Sequence, residues 1–355
     1  MADPPAAMIA AISELYEDAQ RCAESAGLVY VATDDPGIAR QRRGRGFSYR
    51  QPDGLHSIAE GVKQRIVELA IPPAWRDVWI CPSPDGHILA TGQDDRDRKQ
   101  YLYHPKWRAL RDLLNSYRLI VVAQQLPKIR AHVNTQLRRR TLDRDRVLAS
   151  MVRIVDASGI RIGSEVYAEE NDSFGLSTLT RRHVTVTRAR TDFDFPAKSG
   201  KRARIELRDR RVATVVSQLL KQHRRRLFTV DGRAIEAGEV NALLHDLTGE
   251  HITAKDFRTW RGTLIAFNYL RSHLDQEPET AVLAAVDLAA DELRNTRAVA
   301  RAHYIHPHLL ETFAAGTFAG YLRSARSRGC DLLAPDEQSL LGFLRVLLTH
   351  EYERS

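Results

Sequence analysis

Five residues spread over positions 161–304 of the chain supply a coherent set of chemical groups: Arg161, Lys198, Arg258, Asn295 and Tyr304. Cationic side chains can neutralise phosphate oxygens, and a tyrosine hydroxyl can act as a protein nucleophile. Arg161 lies in IRIGSEVY after a helical stretch. Lys198 lies in the turn FPAKSGK between two strand-like runs. Arg258 lies in KDFRTWRGTL at the start of an apolar helix, and Tyr304 follows Asn295 by nine residues in NTRAVARAHY. No single helix could unite groups so far apart, so a fold must.

Other phosphate chemistries lack their signatures. There is no GxxxxGK[ST], no GxGxxG after a strand, no HExxH and no paired-carboxylate metal signature. His303 and His306 form an HxxH without a third ligand, which reads as structural rather than as a metal site. The expectation is a protein without cofactor or metal.

Composition points to a polyanionic partner. With 53 Lys+Arg against 45 Asp+Glu, the 355-residue chain carries a net charge of +8. The basic residues are clustered: RQRRGRGFSYR over Arg40–Arg50, RRRTLDRDR over Arg138–Arg146, RRHVTVTRAR over Arg181–Arg190, KSGKRARIELRDRR over Lys198–Arg211 and KQHRRR over Lys221–Arg226. Segregation of this kind suits a groove that neutralises nucleic-acid phosphates. Hydrophobic residues at 43% and charged residues at 28% fit an ordinary globular chain of two or three domains. Apolar runs are too short for a membrane span, and the acidic N-terminus does not resemble a secretory signal. Cys22, Cys81 and Cys330 are far apart, which suits a reducing cytoplasm.

Several elements must position these groups. Pro4–Ala26 reads as a short helix or arm. Leu28–Gly86 reads as short strands and turns around a helix at Ile58–Leu69, and His87–His104 as strand, turn, strand. Lys106–Ala123, Gln125–Thr141 and Asp143–Ala157 read as helices. Leu179–Leu207 interrupts the helical texture with a small hairpin sheet, HVTVTRA and ARIEL joined by a turn-rich TDFDFPAKSGKR. Helices follow at Asp209–Phe228, Ile235–Leu247, Ala254–Ser272, Glu279–Asp287, Leu288–Ala302 and Asp336–His350. The expected fold is α+β: an arm over 1–26, a small β-rich domain over 27–105, and a larger, mostly α-helical domain with a small antiparallel sheet over 106–355.

Over roughly Gly27–Pro307 the chain resembles the type IB DNA topoisomerases, specifically the poxvirus-like branch found in bacteria. DDPGIARQRRGRGFSY, IPPAWRDVWICPSPDGHILATG and DRKQYLYHPKW look like that family's β-rich DNA-binding lobe. IRIGSEVYAEENDSFGLSTL, the KSGK turn, AKDFRTW and NTRAVARAHY look like its catalytic lobe. The resemblance implies a DNA strand transesterase. Tyr304 would form a 3′-phosphotyrosyl bond, Arg161, Arg258 and Asn295 would hold the nonbridging oxygens, and Lys198 would protonate the leaving 5′-oxygen. Lys201, three residues on, is its rival. Lys255 takes an accessory position. Asn295 departs from the poxviral enzymes, which have His there. The resemblance further implies DNA contacts from the segment holding Arg98, Gln100, Tyr101 and Tyr103. If that segment is a strand, Gln100 and Leu102 face one side and the two tyrosines the other.

The chemistry agrees with those roles. A phenol with a pKa of about 10 is a weak nucleophile at neutral pH unless cations stabilise its anion. Guanidinium forks suit phosphate oxygens, and a basic leaving alkoxide needs a proton donor. The expected partner is double-stranded DNA, clamped by a monomer in the cytoplasmic nucleoid, with supercoils of both signs relaxed without ATP. Two alternatives remain. A tyrosine recombinase would usually carry HxxR where this chain has Lys255-Asp256-Phe257-Arg258, and its N-terminal lobe would be helical. A non-catalytic DNA-binding protein would bind without nicking.

Overall fold

The computed structural model describes residues 6–44, 46–163, 165, 172–222, 225–325 and 329–352. Pro4 and Pro5, Arg45, part of the IRIGSEVYAEENDS stretch (164 and 166–171) and two residues of KQHRRR (223–224) lie outside the described residues, as does the side chain of Ser199. The chain forms two compact units. One spans Ala10–Ser116; the other spans Tyr117–Ser355 and takes in the start of the chain up to Ile9.

The N-terminal unit holds most of helix α1 (Ala6–Glu17) and all of α2 (Ala19–Ser25). Its centre is a five-stranded antiparallel sheet of β1 (Ile38–Arg43), β2 (Gly46–Arg50), β3 (Arg76–Ile80), β4 (Ile88–Gln93) and β5 (Lys99–Tyr103). The strand order is β2-β1-β3-β4-β5, so β5 is an edge. Helix α3 (Glu60–Glu68) contributes Ile66 to a core of Ile38, Val78, Ile80 and Ala90, with Leu102 packed against it. Arg40 does not reach outward as a phosphate contact would. It donates to the carbonyls of Ile71, Pro72 and Trp75 at 3.2, 3.0 and 2.8 Å, and stacks on Phe47. Arg42 and Arg43 are exposed.

Helix α4 (Pro105–Leu137) runs for 33 residues where two helices were expected. Pro127 interrupts its hydrogen bonding, yet Leu126, Ile129 and Val133 continue one buried face, and that burial outweighs the missing bond. Helix α5 (Arg144–Ser158) starts on the Asp143 cap and ends at Gly159, whose left-handed φ of 59° stops it.

The expected hairpin is a three-stranded antiparallel sheet, β6 (Val184–Thr187), β7 (Arg190–Pro196) and β8 (Arg202–Arg208), in that order. TDFDFP was read as turn, but it is the central strand. Thr191, Phe193 and Phe195 are buried, alternating with Asp192 and Asp194, which has the period of a half-buried strand. Helix α6 (Arg210–Lys221) is shorter than expected, and Phe228 leads into a small ladder of β9 (Thr229–Val230) with β10 (Arg233–Ala234).

Helices α7 (Ala237–Thr248) and α8 (Ala254–Arg271) follow. The two expected helices over 279–302 divide elsewhere, as α9 (Pro278–Leu293) and α10 (Arg297–His303). The cause is local: Arg294 takes a left-handed conformation, and the Thr296 side chain caps α10. Helices α11 (Pro307–Ala314), α12 (Phe318–Ser324) and α13 (Pro335–Tyr352) complete the unit. No described helix is long and apolar enough to cross a membrane.

Candidate active site

The site is built on the corner between α9 and α10. Leu293 closes α9, Arg294 turns left-handed at φ 56° and ψ 47°, and Asn295 follows. Carbonyls at a helix C-terminus have no helical partner and concentrate negative potential. Here cations take them. Arg258 Nη2 donates to the Leu293 carbonyl at 3.0 Å, and Lys201 Nζ to the Asn295 carbonyl at 2.5 Å. The Asn295 side chain accepts from Arg161 Nη2 through its Oδ1.

Arg258 stands on the first turns of α8 and is only 3% exposed. Its Nη1 donates to the Gly159 carbonyl at the end of α5, and its guanidinium lies 4.9 Å from the centre of the Tyr304 ring. Among the described residues no carboxylate pairs with Arg258 or Arg161. A buried, unpaired guanidinium is costly unless an anion is meant to join it. Burial first, and then Arg161, push the Arg258 pKa down to about 10, so it stays charged at neutral pH.

Arg161 is held by backbone bonds at its own carbonyl and at the next. Leu176 N–H donates to its carbonyl at 2.9 Å, and Ser177 N–H to that of Ile162 at 2.8 Å. Gly163 and Gly175 face each other so closely that a Cβ on either would strike the other's backbone. Tyr304 caps α10 and is half-buried. A Cβ on Gly262 of α8 would collide with the Tyr304 carbonyl, so this glycine admits the tyrosine backbone. Burial alone would raise the Tyr304 pKa. The charge and hydrogen bond of Arg258, with Arg161 and Lys255, outweigh it and hold the phenol below its ordinary value.

Arg161, Arg258, Asn295 and Tyr304 thus come together. Asn295 Nδ2 is buried with no partner among the described residues, a donor left over beside the two arginines. Lys255 is exposed at the start of α8 and acts on Tyr304 through its charge. Lys198 is exposed in the turn between β7 and β8, whereas Lys201 reaches the corner. His303 is exposed, while His306 is buried and kept neutral, its pKa driven to about 3 by burial and then by His308. Arg294, which the sequence did not single out, donates from Nη2 to the Arg204 carbonyl of β8 at 3.1 Å. Nothing in a lone arginine before an asparagine signals that contact.

In the N-terminal unit, Gln100 and Leu102 do face one side of β5 and Tyr101 and Tyr103 the other. The tyrosine rings stack at 5.7 Å, with Tyr101 41% exposed. Gln100 Nε2 donates to Asp94 at 2.9 Å, and Arg98 Nε to the same carboxylate at 2.8 Å. The Arg98 hydrogen bond is the main reason Asp94 has its pKa drawn down to about 2.

The catalytic-core model of eukaryotic DNA topoisomerase I matches residues 105–315, more than half of the chain, including Arg161, Lys198, Arg258, Asn295 and Tyr304. The chain belongs to the type IB DNA topoisomerases. The model of the bacterial DNA topoisomerase IB N-terminal domain matches residues 46–94, from β2 through α3 and β3 to β4. DNA topoisomerase 1B of Acanthamoeba polyphaga mimivirus is 28% identical over 293 residues, covering 78% of this chain and 87% of that protein. DNA topoisomerase 1B of vaccinia virus (strain Western Reserve) is 24% identical over 100 residues, 28% of this chain and 32% of the viral protein. As a type IB topoisomerase the chain is an isomerase that acts on DNA.

Proposed function

We propose that this topoisomerase relaxes positive and negative supercoils without ATP or metal, by nicking one strand through Tyr304. The observation that carries the reading is the half-buried Tyr304 ring beside the buried, carboxylate-free Arg258, with its phenol held below the ordinary pKa. The Tyr304 oxygen attacks the scissile phosphorus and gives up its proton to solvent. A P–O bond to tyrosine forms, the P–O5′ bond breaks, and Lys198 gives the departing 5′-oxygen its proton. The product is a 3′-phosphotyrosine and a free 5′-hydroxyl. Strand rotation relieves torque, and the reverse reaction reseals the nick. The ester keeps the bond energy, so no nucleotide is needed.

Arg161 and Arg258 bind the nonbridging oxygens and offset the charge that builds on them. Asn295 adds a neutral donor through Nδ2, its orientation fixed by the Arg161 contact at Oδ1. Lys255 adds charge near the phenol. Arg98, Gln100, Tyr101 and Tyr103 contact the duplex. Tyr101 and Tyr103 offer a flat aromatic face, and Gln100 reads a base edge on exchanging its Asp94 partner. Residues 27–105 serve as the DNA-binding domain and 106–355 as the catalytic domain of a monomer that clamps DNA in the bacterial nucleoid.

Relaxation of supercoiled plasmid in EDTA without ATP tests this reading. Wild type is expected to relax both signs of supercoil, and Tyr304→Phe to bind DNA without relaxing it. Tight binding by wild type with no relaxation would contradict it.

A further inference from the structure

The turn that carries Lys198 is fastened to the α9–α10 corner by two hydrogen bonds running in opposite directions. Lys201, from the turn, donates to the Asn295 carbonyl at 2.5 Å. Arg294, from the corner, donates to the Arg204 carbonyl of β8 at 3.1 Å. Each cation reaches across to the other element's main chain. We propose that Lys201 and Arg294 form a clasp that positions the Lys198 turn for proton transfer to the leaving 5′-oxygen. This inference rests on the reading of Lys198 as the general acid.

The geometry favours a positioning role over a second phosphate contact. The turn is closed on itself by Ala197 N–H donating to the Lys201 carbonyl at 2.7 Å, and Gly200 supplies the left-handed φ of 70°. Lys198–Gly200 is a single 3-10 turn inside that closure. Fixing the Lys201 end therefore fixes the backbone from which the Lys198 side chain reaches. The other anchor lies on the third strand residue pair from the turn, since Pro196 pairs with Arg202, Phe195 with Ala203 and Asp194 with Arg204. Two points hold a hairpin against both sliding and rotation, which one could not. The clasp is also tied to the phosphate site. Asn295 gives its carbonyl to Lys201 and its side-chain oxygen to Arg161, so the proton donor and the phosphate ligands share one residue as reference.

Arg294 carries a backbone cost for this. It is a non-glycine residue at φ 56°, a region that glycine occupies without penalty. Its guanidinium is partly buried near Arg261 and Arg161, with Glu292 the nearby counter-charge, and its Nη1 is buried without a partner among the described residues. A residue serving only to end α9 would be better as glycine.

Leaving-group chemistry separates the roles. A thiolate, with a thiol pKa of about 8.5, departs without a proton donor, whereas an alkoxide does not. A mapped cleavage site would be placed in a short duplex with either oxygen or sulfur bridging to the 5′-carbon. Single-turnover formation of the covalent adduct would be timed for wild type, Lys201→Ala, Lys201→Arg, Arg294→Gly, Lys198→Ala and the Lys198→Ala/Lys201→Ala double variant. Arg294→Gly suits the left-handed turn and keeps the fold testable, which thermal melting verifies. The clasp predicts that Lys201→Ala and Arg294→Gly slow the oxygen substrate about tenfold to 100-fold. Both should cleave the sulfur substrate at nearly the wild-type rate, and Lys201→Arg should recover most of the loss. The double variant should be no slower than Lys198→Ala.

Equal slowing of oxygen and sulfur substrates would overturn the proposal, because the defect would then lie in phosphate binding. Unchanged rates would overturn it too. A mild Lys198→Ala effect beside a severe, arginine-resistant Lys201 effect would make Lys201 itself the acid. If wild type formed no adduct with either substrate, the reading of the site as a phosphotyrosyl transferase would fall, and the clasp with it.

Discussion

Arg258 puts a full charge into the protein interior with carbonyls, not carboxylates, as its neighbours. Such a residue is poorly compensated until a phosphate arrives, which is the arrangement expected of a group that favours the transition state over the free enzyme. Arg258→Ala should slow covalent-adduct formation about 10²- to 10³-fold while duplex binding changes little, as read by single-turnover cleavage beside filter binding. The pH profile carries a second signature. The cations hold the Tyr304 phenol below its ordinary pKa against the opposing effect of burial. The rising limb of the cleavage rate should therefore lie below pH 10 in wild type. It should move upward in Arg258→Gln, where burial is less opposed. A limb that stays put would contradict the assignment of the shift to Arg258. At this scale much was legible from sequence, because Arg161, Arg258, Asn295 and Tyr304 sit in short, distinctive motifs. Arg294 and Gly262 were not legible. One acts through a backbone carbonyl and the other through the absence of a side chain, and neither contact depends on a residue pattern.

At the scale of elements, α8 must be held still if Arg258 is to be. Two residues after Arg258, Trp260 Nε1 donates to Glu337 Oε1 of α13 at 3.1 Å. Glu337 in turn pairs with Arg130 of α4 at 2.6 Å, and Arg130 pairs with Asp156 of α5 at 2.8 Å. This network joins three helices behind α8. Burial raises the Glu337 pKa, but Arg130, the Ala334 amide and Trp260 outweigh that and bring it below the usual 4.5. Its contribution to stability is then full above the ordinary carboxyl range and lost as pH falls through the lower folded-state value. Glu337→Ala should cost about 3 kcal/mol of unfolding free energy at neutral pH, because it leaves a half-buried arginine and a buried indole N–H short of partners. The gap from wild type should narrow in acid, as urea titrations at neutral and acidic pH would show. An equal gap at both would contradict it. Helices with strong caps were legible from sequence, α5 with Asp143 and Gly159 among them. The break at Arg294 was not, because a left-handed arginine is stabilised by tertiary contacts rather than by local preference. The central strand β7 was misread because Asp192, Asp194 and Pro196 resemble turn residues, whereas the buried Thr191, Phe193 and Phe195 decide the matter.

Across the whole molecule, the net charge of +8 and the family match both point to DNA, and the chain keeps the cationic site in one unit and the five-stranded sheet in the other. Composition made a polyanion partner legible. It could not distinguish a binder from an enzyme, and that distinction rests on Tyr304. On the reading proposed above, this residue becomes joined to the 3′ side of a broken strand. The direct measurement is to quench a reaction on duplex DNA with detergent, digest the adduct and sequence the modified peptide by mass spectrometry, with label placed separately on each side of the break. The expected products are a nucleotide 3′-phosphate on Tyr304 and a free 5′-hydroxyl on the released end. A 5′-phosphate linkage, attachment to another residue, or no adduct would contradict it.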